Sequence, residues 1–206
     1  LCFGEAFLHG FYGLAWSYDQ DKEKAIPVDG EVMSRIKTLA KKYRKTISFG
    51  FIERADNGDL YSSNIVINDR GQQVDLFRRV SEGWKQIAYK KYKEGDFFHI
   101  FTYKGSRFAT AICGDLWWDN HLSNMINLDT DYVLWPLYID YDVKSWEESV
   151  KLEYQTQVKN IPCKVLMING YESDGSQAQG GAYVFNKGYI VDHLDLGIEG
   201  VLVFAL

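Results

Sequence analysis

Phe108-Ala-Thr-Ala-Ile-Cys-Gly-Asp-Leu-Trp-Trp-Asp119 begins as a short apolar run of strand-forming residues and breaks off at Cys113-Gly114. A run of that length bounded by a turn residue reads as a buried strand. A strand that stops at Cys-Gly leaves the sulfur at its end, beside a backbone that can turn sharply and offer N–H groups. A thiol nucleophile is presented in this way, with donors at hand for a developing oxyanion. The bland reading of Cys113 is a small buried hydrophobe in a core strand. The rest of the chain has to decide between them.

Outward from this stretch, residues 97–103 and 107–113 pair as strands about the turn at Lys104-Gly105. Downstream the pattern predicts a helix over 120–128 and a buried strand at Tyr132-Val-Leu-Trp-Pro136 that the proline ends. A long helix over 145–160 follows, its core face marked by Trp146, Val150, Tyr154, Gln157 and Val158. Then come an apolar strand over 163–169 and a closing meander of strands over 181–185, 188–192 and 200–205. Upstream, 1–5 is a short strand ending in Glu5, 6–18 an aromatic loop, and 19–24 a charged, solvated stretch. Val32, Met33, Ile36, Leu39 and Ala40 fall at helical spacing, with Asp29 placed to cap them. Strands over 46–52, 61–68 and 73–80 are joined by turns at Ala55-Asp-Asn-Gly-Asp59 and Asp69-Arg-Gly71, and 81–94 is a lysine-rich loop. Strands alternating with a few helices imply a layered α/β domain, a single one over 1–206.

Composition removes several classes of function. A net charge of −5 leaves no basic surplus to neutralise phosphates, so no nucleic-acid partner is expected. No apolar run reaches the length of a membrane span, and no leader pattern opens the chain, so no membrane partner is expected either. Cys2, Cys113 and Cys163 are too few and too scattered for a disulfide framework, which suits a reducing, cytoplasmic address. His9, His99, His121 and His193 are dispersed, so no metal site is expected. Neither GxGxxG nor GxxxxGK[ST] occurs, and no cofactor is expected.

A nucleophilic thiol needs a base and an oxyanion partner. Glu5 follows apolar Leu1-Cys-Phe and stands at a strand end, although a surface carboxylate would look the same. Phe77-Arg-Arg-Val-Ser-Glu-Gly-Trp-Lys85 supplies three cations; a solvated basic edge is the usual meaning, but Trp84 would anchor the loop and fix where Lys85 points.

Taken together, Phe3-Gly-Glu5, Tyr61-Ser-Ser-Asn-Ile-Val-Ile67, Phe77-Arg-Arg79 and Ala111-Ile-Cys-Gly-Asp-Leu116 resemble, in order and spacing, the nitrilase (carbon–nitrogen hydrolase) superfamily. The likeness runs on through Leu134-Trp-Pro136, Val165-Leu-Met-Ile-Asn169 and Gly180-Gly-Ala-Tyr-Val-Phe185, and so covers essentially the whole chain. It implies a four-layer αββα sandwich, often dimerised or further assembled, that here could lack its first strand and helix. It also implies a Glu–Lys–Cys triad: Cys113 as nucleophile, Glu5 as general base, and the Gly114 N–H with a cation as oxyanion site.

Three departures mark a divergent branch. Arg79 stands where the family's lysine is usual, leaving Lys85 and Arg79 as alternatives for that role. The family's further glutamate has two candidates, Glu82 and Glu94. Trp117-Trp-Asp119 replaces the usual Arg-Phe-Pro. Trp16, Trp117, Trp118, Trp135, Tyr138 and Tyr141 are candidates to line a pocket, with Gly114, Trp117 and Tyr138 as the substrate-binding set. The implied activity is amidase-type hydrolysis of a small amide through a thioester on Cys113. The alternatives are acyl transfer from that thioester and a non-catalytic interaction module that retains the fold.

Overall fold

The computed structural model describes residues 1–85, 89–172 and 177–206, in two compact units, Leu1–Phe97 and Phe98–Leu206. In the first unit, α1 (Tyr18–Lys24) and α2 (Glu31–Tyr43) precede an antiparallel sheet of β1 (Ile47–Arg54), β2 (Leu60–Ile67) and β3 (Gln73–Arg78), with β2 central. A two-residue β4 (Tyr92–Lys93) pairs with the start of β2. The β1–β2 turn forms as its Asn-Gly predicts: Gly58 takes a positive φ of 80°, and the Asn57 side chain accepts the Asp59 N–H at 2.9 Å.

Alternation along β1 and β2 sorts the sheet into two faces. Phe49, Phe51, Ile65 and Ile67 share one face, which Met33 and Ala40 of α2 cover. Val32 and Leu39, expected on the same helix face, are exposed, because the buried stripe is narrower than the apolar one. Asp29 does not cap α2: Gly30 stands at the N-cap, and Asp29 lies instead 4.0 Å from Lys37. Nor is 19–24 simply a solvated stretch. It forms α1, with Asp21 buried and accepting the Ala15 N–H and the Tyr92 hydroxyl.

The second unit is a six-stranded sheet of β5 (Ile100–Tyr103), β6 (Ser106–Thr110), β7 (Tyr132–Leu137), β8 (Lys164–Asn169), β9 (Ala182–Asn186) and β10 (Tyr189–Leu194). Its order is β10-β9-β8-β7-β6-β5, with β6, β7 and β8 parallel. Between β6 and β7 lie a 3₁₀ turn (Cys113–Trp117) and α3 (Asp119–Ile126). Between β7 and β8 runs a continuous helix made of α4 (Val143–Ser145), a π-helical turn (Trp146–Val150) and α5 (Lys151–Val158). Trp135, Trp146, Tyr154, Met167 and Tyr183 fill the core between these helices and the sheet. Pro136 does not end β7, which runs on to Leu137. Pairing with β6 stops at Leu134, so no partner on that edge needs the N–H that proline lacks. The final expected strand, 200–205, has no regular structure, although the two strands before it form.

Among the described residues, no helix is long and apolar enough to cross a membrane.

Candidate active site

In the first unit, the backbone of residues 1–4 lies alongside β1, with Phe3 N–H on Ser48 O at 2.9 Å and Gly50 N–H on Gly4 O at 3.1 Å. Gly50 makes this approach possible, since a Cβ there would stand 2.4 Å from the Ala6 nitrogen and 2.7 Å from the Glu5 Cα. The segment thereby delivers Glu5 to a buried position, 1% exposed. Its Oε1 accepts the Ser62 hydroxyl at 2.7 Å and Arg79 Nη1 at 3.1 Å. Its Oε2 is buried and has no hydrogen-bond partner among the described residues. A buried carboxylate oxygen left in that condition is unusual, because desolvation without a partner is costly.

Arg79 is held as tightly as the acid it meets. Its Nε donates to Ser81 Oγ at 2.9 Å, its N–H to Ser62 O, and its carbonyl accepts the Gly95 N–H. Its neighbour Arg78 binds elsewhere, to Glu53, and lies over the Tyr61 ring. Lys85 has other company: its Nζ donates to Glu94 Oε1 at 2.5 Å and to Tyr92 O at 3.1 Å. Trp84 is buried beside it and ties its indole N–H to Lys93 O, so the tryptophan does anchor this loop. Of the two cations, then, Arg79 contacts Glu5 and Lys85 pairs with Glu94. Residues 86–88, part of the same lysine-rich loop, lie outside the described residues.

Ser62, Ser81, Gly50 and Glu94 were not singled out for these contacts in the sequence. Ser62-Ser-Asn64 did carry a signal, as a polar run inside an apolar strand. All three residues are buried, which only a polar network tolerates.

In the second unit, the chain leaves β6 and turns at Cys113, where φ is +43°. A non-glycine residue in that region carries strain, and such residues cluster at functional positions. The turn is clamped from several sides. Asp115 accepts the Ile112 N–H at 2.7 Å, the Trp135 indole donates to Cys113 O at 2.9 Å, and Gln157 donates to Leu116 O at 2.5 Å. Cys113 and Gly114 are half-buried.

Around the turn, Trp117 is 40% exposed and sets its ring edge-on to Tyr154 at 5.0 Å. Trp118 and Tyr141 are also exposed, whereas Trp135 is wholly buried in the core. Trp16 belongs to the first unit, packed with Trp84 and Tyr92. Tyr138 donates its hydroxyl to Glu172 at 2.6 Å. Burial, and after it the charge of a Cys113 thiolate, pushes the Tyr154 phenol up; burial and the charges of Glu153, Asp140 and Cys113 do the same to Tyr141.

Comparison with known proteins bears on what a strained cysteine and a buried glutamate could be for. A sequence profile of carbon–nitrogen hydrolases matches residues 1–203. An arylacetonitrilase of Fusarium vanettenii is 25% identical over 87 residues, covering 39% of this chain and 26% of that protein. Glutamine-dependent NAD+ synthetase from Acinetobacter baumannii superposes with a TM-score of 0.74 at 20% identity, covering 97% of this chain and 37% of the synthetase. A CN-hydrolase superfamily protein of Xanthomonas campestris, with an arsenic adduct in its active site, gives 0.74 at 17% identity over 95% of this chain and 73% of its own. A Nesterenkonia amidase bearing acrylamide on its active-site cysteine gives 0.73 at 12% identity, covering 95% of this chain and 75% of the amidase. This chain thus spans about a quarter of the arylacetonitrilase and little more than a third of the synthetase. The structural likenesses show an α/β, nitrilase-like fold.

Proposed function

The chain belongs to the carbon–nitrogen hydrolase family, and on that premise we propose that it cleaves a non-peptide C–N bond in a small amide through a thioester on Cys113. The observation that carries the reading is Cys113 itself, a half-buried thiol on a strained turn at the end of a parallel strand. In the proposed reaction the Cys113 sulfur attacks the amide carbon and its proton passes to Glu5. The Oε2, which has no hydrogen-bond partner among the described residues, supports Glu5 as that base.

The oxyanion takes a hydrogen bond from the Gly114 N–H and is balanced by a fixed cation. Arg79 is supported as that cation by its contact with Glu5, while Lys85 is supported by the family's preference for an amine and by its pairing with Glu94. Arginine keeps its charge throughout, so in the first case it steadies the oxyanion and leaves every proton transfer to Glu5. Glu5 returns the proton to the departing amine, then takes one from the water that attacks the thioester; as the C–S bond breaks and the acid leaves, Glu5 hands that proton back to the Cys113 sulfur. Trp117 and Tyr138 would contact the substrate, and an aromatic surround suits an amide with an apolar or planar body. A cytosolic homo-oligomer is the setting proposed.

One observation favours a second reading. Arg79 in place of a lysine is also what a non-catalytic module with this fold could carry. The test is amine release from a panel of small linear amides by the wild type and by Cys113→Ala. The expected result is turnover by the wild type and none by the variant, with unchanged circular dichroism. An active Cys113→Ala removes the covalent mechanism. A wild type that turns over nothing and whose Cys113 ignores iodoacetamide at neutral pH favours the non-catalytic reading.

A further inference from the structure

We propose that Trp135 is a positioning residue whose indole N–H, bonded to the Cys113 carbonyl, aims the Gly114 N–H at the oxyanion; the inference rests on the hydrolase reading above. The Cys113 C=O and the Gly114 N–H belong to one peptide unit, which is planar and trans, so the two bonds point in opposite directions. Whatever holds the carbonyl therefore sets the direction of the N–H. Trp135 Nε1 holds it at 2.9 Å.

The indole is well placed for this. Trp135 is 0% exposed and packs on Tyr154 at a centroid distance of 5.3 Å. Its backbone is one residue beyond Leu134, which pairs with Thr110 and accepts the Ala111 N–H, so the registry of β6 and β7 fixes the indole relative to the turn. Cys113 needs such a restraint, because its φ of +43° would otherwise tend to relax and swing the following peptide. A hydrogen bond to the carbonyl also polarises the amide and makes its N–H a stronger donor.

A second tryptophan serves as control. Trp146 is equally buried, but its indole N–H donates to Tyr183 OH at 2.8 Å. Trp135→Phe and Trp146→Phe each delete a buried indole N–H and leave a ring. The experiment measures kcat and KM on an amide that the wild type hydrolyses, together with the rate at which iodoacetamide alkylates Cys113, a displacement that forms no oxyanion.

Trp135→Phe is expected to lose about ten- to a hundredfold in kcat, with KM and alkylation within about threefold. Trp146→Phe is expected to stay near wild type in all three. Unchanged kcat in Trp135→Phe overturns the inference, as does alkylation that falls in step with kcat, which would mean that the whole turn has collapsed. If the phenylalanine variant does not fold, benzothienylalanine at 135, which keeps the shape and lacks the N–H, decides the same question. A wild type that neither turns over amides nor acquires an acyl group on Cys113 overturns the hydrolase reading and this inference with it. An active wild type matched by an equally active Trp135→Phe overturns the inference alone.

Discussion

Glu5 puts one carboxylate oxygen on Ser62 and Arg79 and leaves the other without a hydrogen bond among the described residues, while its side chain is 1% exposed and that of Arg79 8%. Cutting such a pair strands a buried charge, so Arg79→Met is expected to cost about 3–5 kcal/mol of stability. Lys85 and Glu94 are each about a fifth exposed, and Lys85→Met is expected to cost only about 1 kcal/mol. Urea denaturation of the two variants measures both; a larger loss at Lys85 would show that the Glu5 pair contributes little to folding. The partnership could not be read from the chain. Glu5 and Arg79 are 74 residues apart, and a run of three cations gives no hint of which one turns inward. What the resemblance suggested at this scale is that Arg79 stands where the family's lysine is usual, with Lys85 as the alternative.

At the scale of elements, β4 lay hidden in the expected loop over 81–94, and the strands expected over 1–5 and 200–205 did not form. The other strands of both units were legible because apolar runs and Asn-Gly or Gly turns mark them directly. The first helix was not. Its residues are nearly all charged or polar, and the partners of Asp21 come from Ala15 and from distant Tyr92. Gly50 carried no signal of its own in the sequence, and only the fold shows that the Glu5 segment lies on it. Gly50→Ala is expected to push that segment away, costing about 1–3 kcal/mol of stability and most of the activity. Retained activity in a folded Gly50→Ala would contradict this account of how Glu5 is placed.

The same segment is tied to β1 by His9, whose Nδ1 accepts the Ile52 N–H at 3.3 Å while Nε2 meets Lys24 O at 3.0 Å. Burial is the main reason that His9 titrates below its usual range, and burial does the same to His121. The unfolded chain therefore takes up more protons than the folded one once the pH drops below about 6.5. Stability is expected to fall with pH through that window and to be level above it. Thermal melts at a series of pH values should show the fall, and His9→Gln should flatten part of it. An acid slope identical in that variant would rule out His9 as a contributor.

At the scale of the molecule, the family was visible in an ordered set of short motifs, although the solved relatives cited are only 12–20% identical to this chain. Packing needs only the right periodicity, so the remainder could diverge while the architecture stayed. The contacts that orient the turn at Cys113 were not visible in the same way. An indole bonded to a carbonyl leaves no spacing signature, and Trp135 stood in the sequence only as a candidate pocket aromatic inside an apolar strand. The central claim is that Cys113 becomes acylated during turnover. The most direct measurement is intact mass of the protein quenched during reaction with small linear amides, followed by peptide mapping. The account predicts an added acyl group on the peptide containing Cys113, absent from Cys113→Ala. Turnover with no adduct there, or with the acyl group on Cys2 or Cys163 instead, would contradict it.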